Sequence, residues 1–453
     1  MTEPPERERK PGLPVPWLRS QGIVPRRVLQ PLERFLHREM GSASVLMAAA
    51  LTALVWANVA PATYEDLWET RFVLDVGVWR FDEDLRHVVN DVLMAIFFFV
   101  VALEVKRELV FGSLRDRRSA AVPTAAAVGT MVGAALTYVA VNLSGDGDLR
   151  GWAIPIATDI AFALGVLGLA GRRAPRELRA FMLTLAVVDD LGTILVIAVF
   201  FSNGVSLTWL GLAATAAISI VLAERVGIRS LVVYGALAAL LWVAVFESGV
   251  HATIAGVVLG FLTPAAAFHS RTAAAGAVRK RTTEVETERG ASDAVLLETS
   301  RIAAEAVSPL TRMEERVHPW SAYAILPIFA LANAGVPVSL DVLGDALTSP
   351  VGLGIALGLV VGAPLGGFLF AFGIVRGGVG RVPDGLDWAA IAGVTPLKGI
   401  GFTIAIFISA LAFDDIATQE LAKLAILLAS AVAAVLGLGM LLARHALSRP
   451  ASR

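Results

Sequence analysis

The sequence predicts an all-α polytopic membrane protein with twelve transmembrane helices, two of them broken. Three observations carry this. Hydrophobic residues make up 56% of the 453-residue chain and charged residues only 17%, against about 25% charged in a soluble domain; mean hydropathy is +0.70. Apolar stretches long enough to cross hydrocarbon, roughly 20 residues each, centre near residues 52, 100, 130, 161, 190, 214, 238, 258, 329, 362, 401 and 432. Between them, Lys and Arg concentrate in alternate connections. The basic set comprises the N-terminal tail, 106–118, 172–179, 225–229, 271–316, 376–381 and the C-terminal tail, while the opposite set holds only Arg71, Arg80, Arg86 and Arg150. Positive charge marks the cytoplasmic side, so both termini are predicted there.

Taken in order, residues 1–40 form a cytoplasmic tail rich in Pro and Arg. It lacks the apolar core of a signal peptide. Residues 1–16 read as disordered, and 24–40 as a candidate amphipathic surface helix. The transmembrane domain runs over 41–446, with a short cytoplasmic tail at 447–453. Residues 62–88 face outside. The run Phe72-Val73-Leu74-Asp75-Val76-Gly77-Val78-Trp79-Arg80-Phe81 alternates in part around a glycine, which suits either a hairpin or an ordered loop cap. A lone hairpin is marginal in water, so pairing with a second subunit would follow from the first. Residues 269–317 are a mixed-charge cytoplasmic insert, with Glu284, Glu286, Glu288, Arg289, Asp293, Glu298 and Arg301. It reads as a solvated helix or disordered segment without chemistry of its own.

Two spans are interrupted. The fourth carries Pro155 and Thr158-Asp159; the eleventh carries Gly393-Val394-Thr395-Pro396-Leu397-Lys398-Gly399-Ile400-Gly401. Proline removes a helical hydrogen bond and glycine adds freedom. Interrupted spans in corresponding halves point to a transporter site made of broken helices, with spans 3–5 and 10–12 as inverted repeats.

Charge within the spans carries the functional expectation, because an intramembrane acid is costly and marks an ion pathway or proton relay. Asp189 and Asp190 are adjacent at mid-span, about 100° apart on a helix, so they face different neighbours. Asp159 lies inside a break, where a carboxylate would offset the positive ends of half-helices. Lys398, mid-membrane in the other break, needs a charge partner, and the aspartates are the candidates. Carboxylate and hydroxyl oxygens, including Thr158, suit a hard cation such as Na+ or Li+. A buried carboxylate can hold a proton near neutral pH and yield it to a cation, so one site open to each side in turn would give antiport. A cation channel and a solute symporter remain alternatives. Gly145-Asp146-Gly147-Asp148 matches the G-x-G-D of intramembrane aspartyl proteases, but it falls in a polar outside loop where that chemistry cannot occur. The absence of cysteine excludes disulfides and thiolate catalysis, and nothing in the composition points to an enzyme, a cofactor or a nucleic-acid partner.

Five stretches resemble the NhaA-type sodium/proton antiporters. They are Gly151-Trp152-Ala153-Ile154-Pro155 leading into Ala157-Thr158-Asp159-Ile160-Ala161-Phe162-Ala163-Leu164-Gly165; Asp189-Asp190-Leu191-Gly192; Leu103-Glu104-Val105-Lys106-Arg107-Glu108-Leu109; Ser248-Gly249-Val250-His251-Ala252-Thr253; and Gly399-Ile400-Gly401-Phe402-Thr403. The resemblance implies that Asp190 is the carrier of cation and proton. It gives Asp159 a supporting role and Asp189 one in binding or a salt bridge. It further implies an alkaline-pH response through Glu104, Arg107, Glu108 and Glu314, with His251 as a further candidate. Also implied are a homodimer through the outside hairpin, residence in the inner membrane of a bacterium, and a role in pH and sodium homeostasis. One position departs. The family carries a lysine before Pro-Leu-Gly in the tenth span, paired with the first Asp of the adjacent pair, here Asp189, where this chain has Ala363. Lys398, one span along, is the candidate replacement.

Overall fold

The computed structural model describes residues 39–77, 79–143, 147–171, 175–202, 204–287 and 293–447. The predicted tail at 1–38 with most of its surface helix, the Gly145-Asp146 part of the rejected motif, Glu288 and Arg289 of the insert, and residues 448–453 lie outside these.

Among the described residues the regular structure is helical apart from one hairpin. Among them seven helices are long and apolar enough to cross a membrane: Gly41–Val59, Leu85–Phe111, Arg118–Asn142, Glu177–Phe200, Leu207–Arg225, Pro350–Arg376 and Ile416–Arg444. Two further pairs pass together but bend by 44° at a short break, which raises the count to nine. Leu231–Glu247 and Thr253–Leu262 are shorter apolar helices. A polytopic α-helical membrane protein is therefore what these residues form.

Small residues decide how the central helices meet. In lipid there is no hydrophobic drive between helices, so association rests on close backbone approach. Gly129 and Gly133 on one helix face Gly362 and Gly366 on another, each pair spaced four apart. A Cβ on Gly129 would collide with the Gly366 carbonyl oxygen, and one on Gly366 with that of Gly129. Gly256 and Gly260 pack in the same way on Ala95, Phe99 and Ala102. Single π turns interrupt three helices, at Val89–Leu93, Ser321–Ile325 and Gly358–Gly362. Asn90, in the first of these, exchanges amide hydrogen bonds with Asn333: its Oδ1 accepts from Asn333 Nδ2 at 2.9 Å, and its Nδ2 donates to Asn333 Oδ1 at 3.4 Å.

The segment at 62–88 contains a hairpin, one of the two readings left open. Strands Arg71–Asp75 and Arg80–Asp84 pair antiparallel with Val73 opposite Asp82. The second strand is anchored. Phe81 is buried against Trp242 and Phe246, and Trp79 Nε1 donates to Glu247 at 2.8 Å. The first strand is exposed along its whole length. The insert at 269–317 forms two helices, Arg271–Thr287 and Asp293–Glu305, joined by an Arg281–Glu298 pair at 3.0 Å. At its base Glu305 binds both Arg229, 2.8 Å, and His269, 2.9 Å.

Candidate functional site

Each broken span is two short pieces with extended backbone between them. The first runs as a 3-10 helix over Leu149–Ile156, extends through residues 157–159, and resumes as Ile160–Leu169. The second runs Trp388–Val394, a 3-10 turn Thr395–Gly399, then resumes as Phe402–Ala412. Asp387 caps its start, accepting from the Ala390 amide at 2.7 Å and from Arg444 at 3.1 Å. Burial would raise the Asp387 carboxyl, but these donors hold it below the usual carboxylate range. Gly399 is required by contact, since a Cβ there would strike the Leu359 carbonyl oxygen.

The two breaks cross, and Asp159 sits at the crossing. Its main-chain N–H donates to the Ile400 carbonyl at 2.7 Å. Its carboxylate accepts from the Phe162 amide at 3.0 Å, at the start of its own half-helix. It also accepts from Thr403, through the amide at 3.3 Å and the hydroxyl at 2.7 Å, at the start of the other half-helix. One carboxylate thus caps two N-termini, satisfying orphan amides and offsetting two positive dipole ends. The Gly401 amide, left over at the second break, donates to Ser430 at 3.2 Å.

Beside the crossing lies the helix Arg176–Phe200, with Asp189 at 1% and Asp190 at 5% exposure. Lys398, 1% exposed, closes the 3-10 turn. Its ammonium lies 2.5 Å from Asp189 Oδ2 and donates to Thr158 Oγ1 at 2.6 Å. Thr158 in turn donates to Asp189 Oδ2 at 3.1 Å. The remaining oxygen, Oδ1, receives Thr130 at 3.1 Å. Lys398 therefore selects Asp189 among the three acids, and it lies at the C-terminal end of a half-helix, where a cation offsets the negative dipole end. Ala363, at the position where a lysine was expected, is buried in apolar packing.

Asp190 is different. Among the described residues its carboxylate accepts no hydrogen bond. A buried acid without donors is unstable as a structural element, while its oxygens are free for a cation or a proton. Among the described residues no three His, Cys, Asp or Glu side chains are grouped to hold a metal ion, so a bound cation would draw on carboxylate, hydroxyl, main-chain and water oxygens.

The remaining predicted residues fall in two places. At the C-terminal end of Leu85–Phe111, Arg107 pairs with Glu314, and His318 approaches Glu104 at 3.5 Å. Glu108 lies one turn on, against Gly112. Lys106 donates to the Phe261 and Thr263 carbonyls at 2.7 and 2.6 Å, capping the end of Thr253–Leu262. His251 is apart from this cluster, 3.2 Å from Thr253 Oγ1 and edge-on to Phe407. Sequence reasoning did not single out Thr130, Thr403 or Ser430, whose hydroxyls complete the crossing. The glycine spacing around Thr130 was the available signal.

The chain matches the family described as "Na+/H+ antiporter 1" over residues 33–441. It is 42% identical over 434 residues to "Na(+)/H(+) antiporter NhaA 2" of Sorangium cellulosum, covering 94% of this chain and 92% of that one. It is 43% identical over 427 residues to "Na(+)/H(+) antiporter NhaA" of Rhodopirellula baltica, covering 92% and 94%. The protein of the same name from Salmonella paratyphi A is 42% identical over 420 residues, covering 92% and 99%. With the match running through both broken spans and all three buried aspartates, the chain belongs to the Na+/H+ antiporter 1 family, a family of transporters and not of enzymes.

Proposed function

We propose that the protein is a secondary-active Na+(Li+)/H+ antiporter, with Asp190 as the shared carrier of cation and proton. The observation that carries this is the free Asp190 carboxylate, buried beside two acids that are both fully engaged. Na+ and H+ compete for one anionic site. Loading from one side, conversion to the other orientation and exchange there couple the two fluxes without a further component. Burial in hydrocarbon discourages crossing with the carboxylate bare. The inward proton gradient drives Na+ out, in the service of pH and sodium homeostasis.

In this reading Asp159 and Lys398 hold the crossing together, and Thr158 and Asp189 form the wall beside the carrier. Sodium would take oxygens from Asp190 first, with Asp189, still paired to Lys398, as the second carboxylate beside it. The span count becomes twelve if the seven long helices and two bent pairs are joined by Leu231–Glu247, Thr253–Leu262 and the helical run 309–333. Spans 3–5 and 10–12 then form inverted repeats, supported by a matching order: a glycine-faced span, a broken span, a long span. The transmembrane domain is 41–446 in a bacterial inner membrane with both termini cytoplasmic. The Glu104–Arg107–Glu108–Glu314 cluster is the candidate pH-responsive surface, with His251 near the outer end. The bare first strand of the hairpin is the candidate homodimer contact. The test is pH-gradient-driven Na+ flux in proteoliposomes. Asp190→Asn abolishes exchange while the protein keeps its unfolding temperature; substantial residual exchange, or Na+ current that needs no proton gradient, refutes the assignment.

A further inference from the structure

Thr130 is buried, at 1% exposure, between the glycine-faced helices. Its methyl Cγ2 occupies the place a Cβ on Gly367 would need. With the methyl held there, the hydroxyl is held too, 2.7 Å from the Ala127 carbonyl and 3.1 Å from Asp189 Oδ1. Both other donors to Asp189, Lys398 and Thr158, reach Oδ2. The one hydroxyl hydrogen of Thr130 is shared between the Ala127 carbonyl and Asp189 Oδ1, and among the described residues no other side chain donates to that second oxygen.

We propose that Thr130 is a positioning residue for ion exchange, one that keeps Lys398 committed to Asp189 and therefore away from Asp190. Without it, Oδ1 is a buried acceptor lacking a partner. The Asp189 carboxylate then rotates to share its donors, and the Lys398 ammonium loosens. Lys398 is the cation whose charge reaches Asp190, so a loosened ammonium competes with Na+ for the carrier. This rests on Asp190 being the carrier, as proposed above.

The experiment compares wild type, Thr130→Val and Thr130→Ser in proteoliposomes, reading the apparent KM for Na+ and the maximal rate separately. Valine keeps the shape and the methyl and loses the donor; serine keeps the donor and loses the methyl. T130V raises the KM about three- to tenfold, the equivalent of one hydrogen bond, with the maximal rate within about twofold, and T130S stays within about twofold in both. An unchanged KM in T130V, or a KM raised as much in T130S, overturns the proposal and assigns Thr130 to packing alone. If T130V does not fold, Thr130→Cys takes its place: a weaker donor of similar size gives a raised KM if the proposal holds and an unchanged KM if it fails. Absence of exchange in wild type refutes the antiport reading itself, which separates the two failures.

Discussion

Replacing Lys398 by methionine strands Asp189. Both partners are 1% exposed, and among the described residues the ammonium is the only charge bound to that carboxylate. Breaking a buried pair from one side costs about 3–5 kcal/mol. The Thr158 and Thr130 hydroxyls stay 3.1 Å away, but they are already present in the wild type and recover nothing. The expected deficit is thus about 3–5 kcal/mol. Unfolding in detergent, followed by tryptophan fluorescence, measures it. Asp189→Asn added to K398M removes the stranded charge and recovers about 2 kcal/mol or more, a coupling readable by double-mutant cycle. K398M within about 1 kcal/mol of wild type, or a double mutant no more stable than K398M, refutes the pairing as an energetic element.

Asp159→Ala removes the cap of two half-helices at once and costs about 2 kcal/mol or more, at about 1 kcal/mol per lost cap; thermal unfolding shows it, and Asp159→Asn, which keeps an acceptor oxygen, retains more than half. Gly366→Ala drives a methyl into the Gly129 backbone and sharply lowers the yield of folded protein on size exclusion, whereas Gly373→Ala, on the same helix with open space around it, leaves the yield unchanged. In the hairpin, hydrogen bonds from Arg71 and then Arg80 hold the Asp82 carboxyl below its usual range. A depressed acid contributes above its ordinary value and loses that contribution as pH falls through the lowered one. If the proposed hairpin contact forms the dimer, self-association should therefore be constant from pH 7 to 5 and weaken only below about pH 4; cross-linking at each pH checks this, and a loss between pH 6 and 5 refutes it.

The sequence was legible where a residue is anomalous for its surroundings. Pro155, Asp159, the Asp189–Asp190 pair and Lys398 stand out because hydrocarbon penalises them, whatever they touch. Which acid Lys398 chooses was not legible in the residues themselves; only the resemblance, whose lysine pairs with the first Asp, pointed to Asp189. That depends on how residues 158 and 189, 31 apart, converge with 398, and nothing local encodes such a convergence. The double capping by Asp159 was half visible: a carboxylate in a break suggests a cap, but its second client, Thr403, is 244 residues away. The hairpin was one of two open readings because its pattern is only partly alternating. What tips it is packing of Phe81 on Trp242 and Phe246, more than 160 residues downstream. The glycine contacts were readable as four-residue spacings but silent about their partner helices.

The crossing has a mechanical meaning. Asp159 joins the second break through both its backbone and its side chain, much as a rivet joins two plates. Parts riveted at one point can swing together but cannot slide apart independently. In the alternating exchange proposed above, a displacement of one half-span would be imposed on the other, and the wall beside Asp190 would travel as a single lever. A lever with one fulcrum would clear one doorway as it blocks the opposite one, so the same few atoms that hold the breaks together would also guard against an open hole through the membrane.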